Sequence, residues 1–240
     1  MSSKILRNSD FGRDSVSNRK DWEEAQILSH IAGGSCIGFG VGRETIPSHL
    51  ARMRCKTLAT DQSPDALNAK EFWDETGQLA KSLNDLWVPS IVTKSLFEKY
   101  VTFERMDMNA LDPRPEFDYV WSCGSLEHLG SMEKSMEFIV NSLGFLKPGG
   151  RALHTTEFNL EWNQTHVSEG PNIFFRKRDI LELESRLNTK GYTLMPCDFE
   201  TDLTSQQIDR WPYPNKFHRV LESCGLYNTS IFLDIKECRN

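Results

Sequence analysis

The sequence predicts a doubly wound α/β fold, a mostly parallel sheet with helices on both faces. Three observations point there. Short apolar runs of strand length alternate with segments of helical periodicity along most of the chain. The first such run leads into a glycine-rich turn, Gly38-Phe39-Gly40-Val41-Gly42, in the position where open parallel sheets hold their ligands. The third is size: 240 residues, 38% hydrophobic and 26% charged, suffice for one well-buried core, so a single domain over 1–240 is expected. Residues 1–20, crowded with Ser, Asn and Arg, read as a mobile N-terminal arm.

The elements follow in order. In DWEEAQILSHIA, Trp22, Ala25, Ile27, Leu28 and Ile31 fall near helical spacing, and Gly33-Gly34 ends the helix. SCIGFGVG is a strand running into the glycine turn; a helix begins near Pro47, and KTLATD is the second strand. Polar helical sequence runs from Ser63 to Leu86 and breaks around Trp87-Val88-Pro89, before the third strand VTFERMD. FDYVWSC is the fourth strand, bounded by Asp-Pro-Arg-Pro and Gly124. Met132, Met136, Ile139, Val140, Leu143 and Leu146 then form a helical stripe, stopped by Lys147-Pro148-Gly149-Gly150, and RALHTTEF is the fifth strand. A polar loop to Pro171, the helix RDILELESRLNTK, the strand GYTLMPCDF, a WPYP connection and a last strand NTSIFLDIKE complete the chain.

Charge and composition exclude several classes. With 28 Lys and Arg against 34 Asp and Glu the net charge is −6, which does not favour a phosphate backbone, so nucleic acid is not an expected partner. No apolar run reaches bilayer length and the N-terminus has no apolar signal core, so no membrane association is expected and the location expected is cytoplasmic. Cys36, Cys55, Cys123, Cys197, Cys224 and Cys238 are scattered without a CxxC pair and read as reduced thiols.

The glycine turn narrows the ligand. A dinucleotide fingerprint needs a third glycine where this chain has Arg43 or Thr45, and no G-K-[ST] follows to make a phosphate loop. Asp61 ends the second strand about 20 positions after Gly40, the separation at which a carboxylate accepts from ribose hydroxyls; its alternative role is an N-cap for the next helix. Asp107-Met108 closes the third strand, where a carboxylate meets an adenine amino group and a thioether lies on the ring; alternatively the pair is a turn.

With these residues in place, the chain resembles the class I S-adenosylmethionine-dependent methyltransferases from about Ser35 to Glu237. The ordered landmarks are Gly38/Gly40/Gly42, Asp61, Asp107-Met108, and FDYVWSCGSLEH followed by LKPGG. The resemblance implies a seven-stranded sheet with its last strand antiparallel, and S-adenosylmethionine as cofactor. By position, Gly38, Gly40 and Gly42 would line the methionine part, Asp61 the ribose, Asp107 and Met108 the adenine, and Ser122 and Cys123 would lie beneath the sulfonium. It also places 159–175 and 199–219 as insertions on the substrate side. One departure stands out: where many members carry an acidic residue two before the first glycine, this chain has Cys36, leaving Glu44 or the arm near Arg13 to meet the cofactor's amino end. HTTEFN, FFRKRDI and TSIFLDI are similar to segments of small bacterial sugar and secondary-metabolite methyltransferases.

The expected reaction is methyl transfer to a small polar acceptor, a hydroxyl of a sugar or natural product. The competing classes are a binding or scaffold protein that keeps the pocket without chemistry, and a nicotinamide oxidoreductase. The catalytic candidates are Glu127 and His128 after the fourth strand, and His154 and Glu157 ending the fifth. A neutral imidazole there can accept an alcohol proton; the alternative for Glu127-His128 is a helix start. An E-x-x-E-H magnesium motif would begin at Gly124, so no metal is expected. Trp211, Pro212, Tyr213 and Pro214, with His218, read as an aromatic lid or a rigid connection. The partners expected are a small-molecule substrate and, where the chain self-associates, a second copy as a homodimer.

Overall fold

The structure is a computed structural model and describes residues 19–65, 77–161, 167–197, 199, 208–210 and 219–238. Residues 1–18, and with them Arg13, lie outside the described residues, as do Trp211 to Pro214 and His218. The helices are α1 (Arg19–Leu28), α2 (Ile46–Arg52), α3 (Lys94–Tyr100), α4 (Met132–Ser142) and α5 (Lys177–Thr189). The strands are β1 (Ser35–Phe39), β2 (Lys56–Asp61), β3 (Val101–Arg105), β4 (Phe117–Cys123), β5 (Leu146–Asn159), β6 (Tyr192–Leu194), β7 (Ile208–Arg210), β8 (Val220–Ser223) and β9 (Leu226–Glu237).

Strands β3, β2, β1, β4 and β5 lie side by side in that order, all parallel, and β9 adds antiparallel to β5. The order reverses at β1 and β4, so the crevice beyond their carboxyl ends is the switch point where such sheets bind ligands. Alternate residues of β4 serve opposite faces: Val120 packs with Ile37, Phe138 and Ile139, and Trp121 packs with Leu50, Ala59 and Phe97. Helices on both sides cover these faces, which is why the strands read as near-continuous apolar runs.

The described residues form a sheet of nine strands, not the expected seven. The reason is the length of β9. Its outer edge pairs with β6 near one end, through Leu194 opposite Ile235, and with β8 near the other, through Leu221 opposite Asn228; β7 then extends β8. The β8–β9 hairpin turns at Cys224-Gly225, both with positive φ (54° and 73°), the backbone of a two-residue primed turn. A cysteine seldom takes that conformation, so the turn carried no Asn-Gly signal. The crossover from β2 to β3 also differs. Its closing helix is α3, after Pro89, whereas the described end of the expected Ser63–Leu86 helix holds only a 3-10 turn at Leu83–Leu86, with Asp85 accepting from the Ser82 amide. No helix among the described residues is long and apolar enough to cross a membrane.

Candidate functional site

The turn after β1 is pinned to the sheet by the Val41 amide, which donates to the Thr60 carbonyl at 3.1 Å. Gly40 and Gly42 sit at φ of 59° and 50°, the left-handed region that costs other residues energy. A Cβ on Gly40 would fall 2.9 Å from Ser125 Cβ and 3.0 Å from Met108 Sδ; one on Gly42 would fall 2.9 Å from the Gln78 carbonyl oxygen. Both glycines therefore keep open a cavity of about 500 Å³ at the carboxyl ends of β1, β2 and β4, a size suited to a cofactor. Gly38 serves another purpose. It does not line this cavity, and a Cβ there would lie 2.1 Å from Trp121 Cζ2; its missing side chain admits the indole.

Of the residues expected at the cofactor, Gly40, Gly42, Asp61, Asp107, Met108 and Cys123 line this cavity, whereas Gly38 and Ser122 do not. Asp61 is buried and accepts from the amides of Gln62 (2.8 Å) and Ala80 (3.0 Å), which fixes its carboxylate at the mouth of β2. Burial nevertheless raises its pKa, so further donors would stabilise the ionised form. Asp107 accepts from the Asn109 amide at 2.8 Å. Glu44 lines the same wall, where one carboxylate oxygen accepts from Trp121 Nε1 at 2.7 Å and the other, Oε2, is buried with no partner among the described residues. Burial lifts this carboxyl to about 8. Gly38, Trp121 and Glu44 thus form a chain: the glycine admits the indole, and the indole holds the carboxylate at the cavity.

A second cavity of about 260 Å³ adjoins the first, and Lys20, Gln78, Gly124 and His128 border both. Glu127 and Glu157 line this second chamber with Arg19 and Glu23. Arg19 Nη2 lies 2.6 Å from Glu157 Oε1, and Asn172 Nδ2 donates to Glu157 Oε2 at 2.8 Å. Lys20 Nζ donates to the Cys123 carbonyl at 2.5 Å and lies 3.6 Å from Glu23 Oε2, while the Ser230 hydroxyl donates to Glu23 Oε1. Glu127 accepts from the Thr156 hydroxyl at 3.3 Å. Burial, with the neighbouring Glu157 and Glu23 carboxylates, lifts Glu127 to about 8.

His128 ends a 3-10 turn over Leu126–His128, and its Nδ1 lies 2.9 Å from the Pro171 carbonyl. A carbonyl accepts only, so Nδ1 carries the proton in the neutral ring and the basic lone pair is on Nε2. Burial holds this imidazole below its ordinary 6.5. His154 is placed apart from both cavities. It is fully buried, with Nδ1 2.8 Å from the Ser122 hydroxyl, its ring edge-on to Phe138, and its pKa pushed down by burial to about 3. The alternation along β5 explains the separation: His154 and Glu157 are three residues apart and point to opposite faces. Among the described residues no three His, Cys, Asp or Glu side chains form a metal-ligand group.

Sequence reasoning missed Arg19, Lys20, Glu23 and Glu24, which α1 brings to the two cavities. A signal existed in the polar face of α1, but charged residues on a helix face ordinarily meet solvent.

No family model and no curated protein matches the sequence. Solved structures do match. The chain is similar to the 1,6-didemethyltoxoflavin-N1-methyltransferase of Burkholderia thailandensis, solved with 1,6-didemethyltoxoflavin and S-adenosylhomocysteine bound, at 15% identity and a TM-score of 0.52, covering 92% of this chain and 79% of that one. It is similar to a SAM-dependent methyltransferase of Methanosarcina mazei at 14% identity and a TM-score of 0.51, covering 89% of this chain and 97% of that one. It is also similar to the mitomycin 7-O-methyltransferase MmcR at 10% identity and a TM-score of 0.50, covering 90% of this chain and 53% of that one. The chain has the fold of the class I S-adenosylmethionine-dependent methyltransferases.

Proposed function

We propose that the protein is an S-adenosylmethionine-dependent methyltransferase whose acceptor is a hydroxyl of a small polar molecule, a sugar or natural product. The observation that carries this reading is the pairing of two adjoining cavities, one cradled by Gly40 and Gly42 with carboxylates at successive strand ends, the other polar and bordered by His128. The first suits the cofactor's chemistry. Asp61 offers a carboxylate for vicinal hydroxyls, Met108 a thioether and Asp107 an acceptor for a purine edge, and the unpartnered Glu44 oxygen calls for a cationic donor such as an α-ammonium. Glu44 thereby supplies the carboxylate that Cys36 cannot.

S-adenosylmethionine, when bound, supplies a methyl group on a cationic sulfonium. The protein's own task is alignment and removal of one proton. Asp61, Asp107, Met108 and Glu44 would hold that cofactor, and His128 Nε2 would take the proton that the acceptor's hydroxyl gives up. The Pro171 carbonyl fixes the tautomer that leaves Nε2 basic. Glu127, Glu157 and Arg19 bind the acceptor's remaining polar groups.

Titration calorimetry with S-adenosylmethionine and S-adenosylhomocysteine tests the reading. Both should bind, and Asp61→Ala should weaken them about tenfold or more, the scale of a lost charged hydrogen bond. A folded protein that binds neither at millimolar concentration overturns it. Binding without turnover on any hydroxyl acceptor would move the protein to the scaffold class.

A further inference from the structure

We propose that the second chamber selects an acceptor that carries a protonated amine beside the hydroxyl to be methylated, with Glu127 as the residue that binds the amine. This rests on the methyltransferase reading above and adds to it the charge of the substrate.

The basis is the way the charges pair. Three carboxylates, Glu23, Glu127 and Glu157, and two cations, Arg19 and Lys20, line the chamber. Arg19 is committed to Glu157 at 2.6 Å, with Glu23 as its more distant partner at 3.7 Å, and its other terminal nitrogen donates to Asn228 Oδ1 at 3.2 Å. Lys20 is held between the Cys123 carbonyl and Glu23. Among the described residues no Lys or Arg nitrogen comes within ion-pair distance of Glu127, whose side-chain partner is the neutral hydroxyl of Thr156. Arg19 favours an ionised Glu127 only from beyond ion-pair distance, and a buried charge with no contacting counter-ion recruits one or takes up a proton. Its raised pKa agrees with the second outcome; an ammonium ligand would supply the first.

The rest of the lining says what the ligand carries. At Gly124, with φ of 59°, a Cβ would meet Glu23 Oε2 at 3.1 Å, Lys20 Nζ at 3.3 Å and Glu127 Oε1 at 3.5 Å. The border between the two cavities, crowded by Lys20 Nζ as well as by carboxylate oxygens, therefore admits no side chain at this position. Leu221 is the one apolar side chain among the described lining residues, so an apolar ring would strand the carboxylates without donors. An ammonium has three donors and a full charge. Held in that form it has no lone pair, which keeps it from being methylated and leaves the neighbouring hydroxyl, facing His128, as the nucleophile.

The test uses matched pairs that differ only in one amine for one hydroxyl, glucosamine against glucose and serinol against glycerol, titrated at pH 7 into the protein saturated with S-adenosylhomocysteine. The amine member should bind about tenfold tighter or more, as expected for one charge-assisted hydrogen-bond site. Glu127→Gln, which keeps the shape and removes the charge, should abolish the preference while leaving S-adenosylhomocysteine affinity unchanged. Glu127→Ala, read the same way, serves if Glu127→Gln does not fold. Equal affinity within the pairs, no binding by any amine at high millimolar concentration, or a preference that survives the folded variant overturns the proposal. Failure of the methyltransferase reading shows separately, as absent S-adenosylhomocysteine binding in the first titration.

Discussion

The two adjoining cavities are built from different parts of the chain, and by different means. The larger one is assembled by backbone geometry: left-handed glycines after β1, and Asp61, Asp107 and Cys123 at or just beyond the ends of β2, β3 and β4. Its residues lie where any parallel sheet with this strand order must place them. The smaller chamber is assembled by side-chain pairing across long separations. Arg19 reaches Glu157 over 138 positions, Ser230 reaches Glu23 over 207, and Asn172 reaches Glu157 from the loop before α5. The first design tolerates many side chains so long as the turns remain. The second depends on charges such as Arg19 and Glu157 meeting across the chain, since a buried ion left alone is costly, and the proposed acceptor selectivity rests on Glu127, which has no such contact.

The largest effect that would sharpen this division comes from His128, at the border of the two cavities. His128→Ala should lower turnover by roughly a hundredfold to ten-thousandfold, the span for a positioned base, while calorimetry finds S-adenosylhomocysteine affinity almost unchanged. A variant with near-normal turnover would pass the proton to Glu127, Glu157 or solvent and leave alignment as the main source of rate.

A smaller effect separates two glycines of the same turn. Gly38→Ala places a methyl group 2.1 Å from the Trp121 indole, and such overpacking should cost about 1 to 3 kcal/mol of stability in denaturant unfolding. Gly40→Ala meets Ser125 and Met108 at the cavity wall, so its loss should show chiefly as weaker S-adenosylhomocysteine binding. If Gly38→Ala instead loses affinity with unaltered stability, the indole has room to move and the chain from Gly38 through Trp121 to Glu44 is not rigid.

The same contrast decides what was legible in the sequence. The parallel order, the glycine turn and the aspartates after β2 and β3 follow local rules: period, turn chemistry and strand-end position. The glycine pattern alone could not separate Gly38 from Gly40, because both lack a side chain for steric reasons and only the partner differs, an indole in one case and the Ser125 and Met108 side chains at the cavity wall in the other. His154 and Glu157 read as one cluster because both lie near the end of β5, yet their separation in the strand sends them to opposite faces. The hairpin at Cys224-Gly225 and the ionic lining from α1 were hidden for a common reason. Each is imposed by tertiary pairing, with β9 in one case and with β5 in the other, against what the local residues prefer.

The smallest expected effect is a shift along the pH axis, and it tests whether the border residue behaves as its surroundings dictate. Only the neutral imidazole accepts a proton, so turnover should fall as pH drops through the His128 pKa and be level above it. Burial favours the uncharged ring, and the cations Lys20 and Arg19 push the same way; the Pro171 carbonyl and Glu157 oppose them without reversing the sign. The half-point of the acid limb should therefore lie below the free-imidazole value of 6.5, and a bound sulfonium, a further positive charge, would lower it more. With an acceptor that carries no amine, Glu127 keeps its proton, its pKa raised to about 8, so Glu127→Gln should move the half-point only slightly. Glu157→Gln removes a carboxylate that favours the charged ring and should lower it further. An acid limb at or above 6.5, or one that does not respond to Glu157→Gln, would mean that the titrating group is not His128.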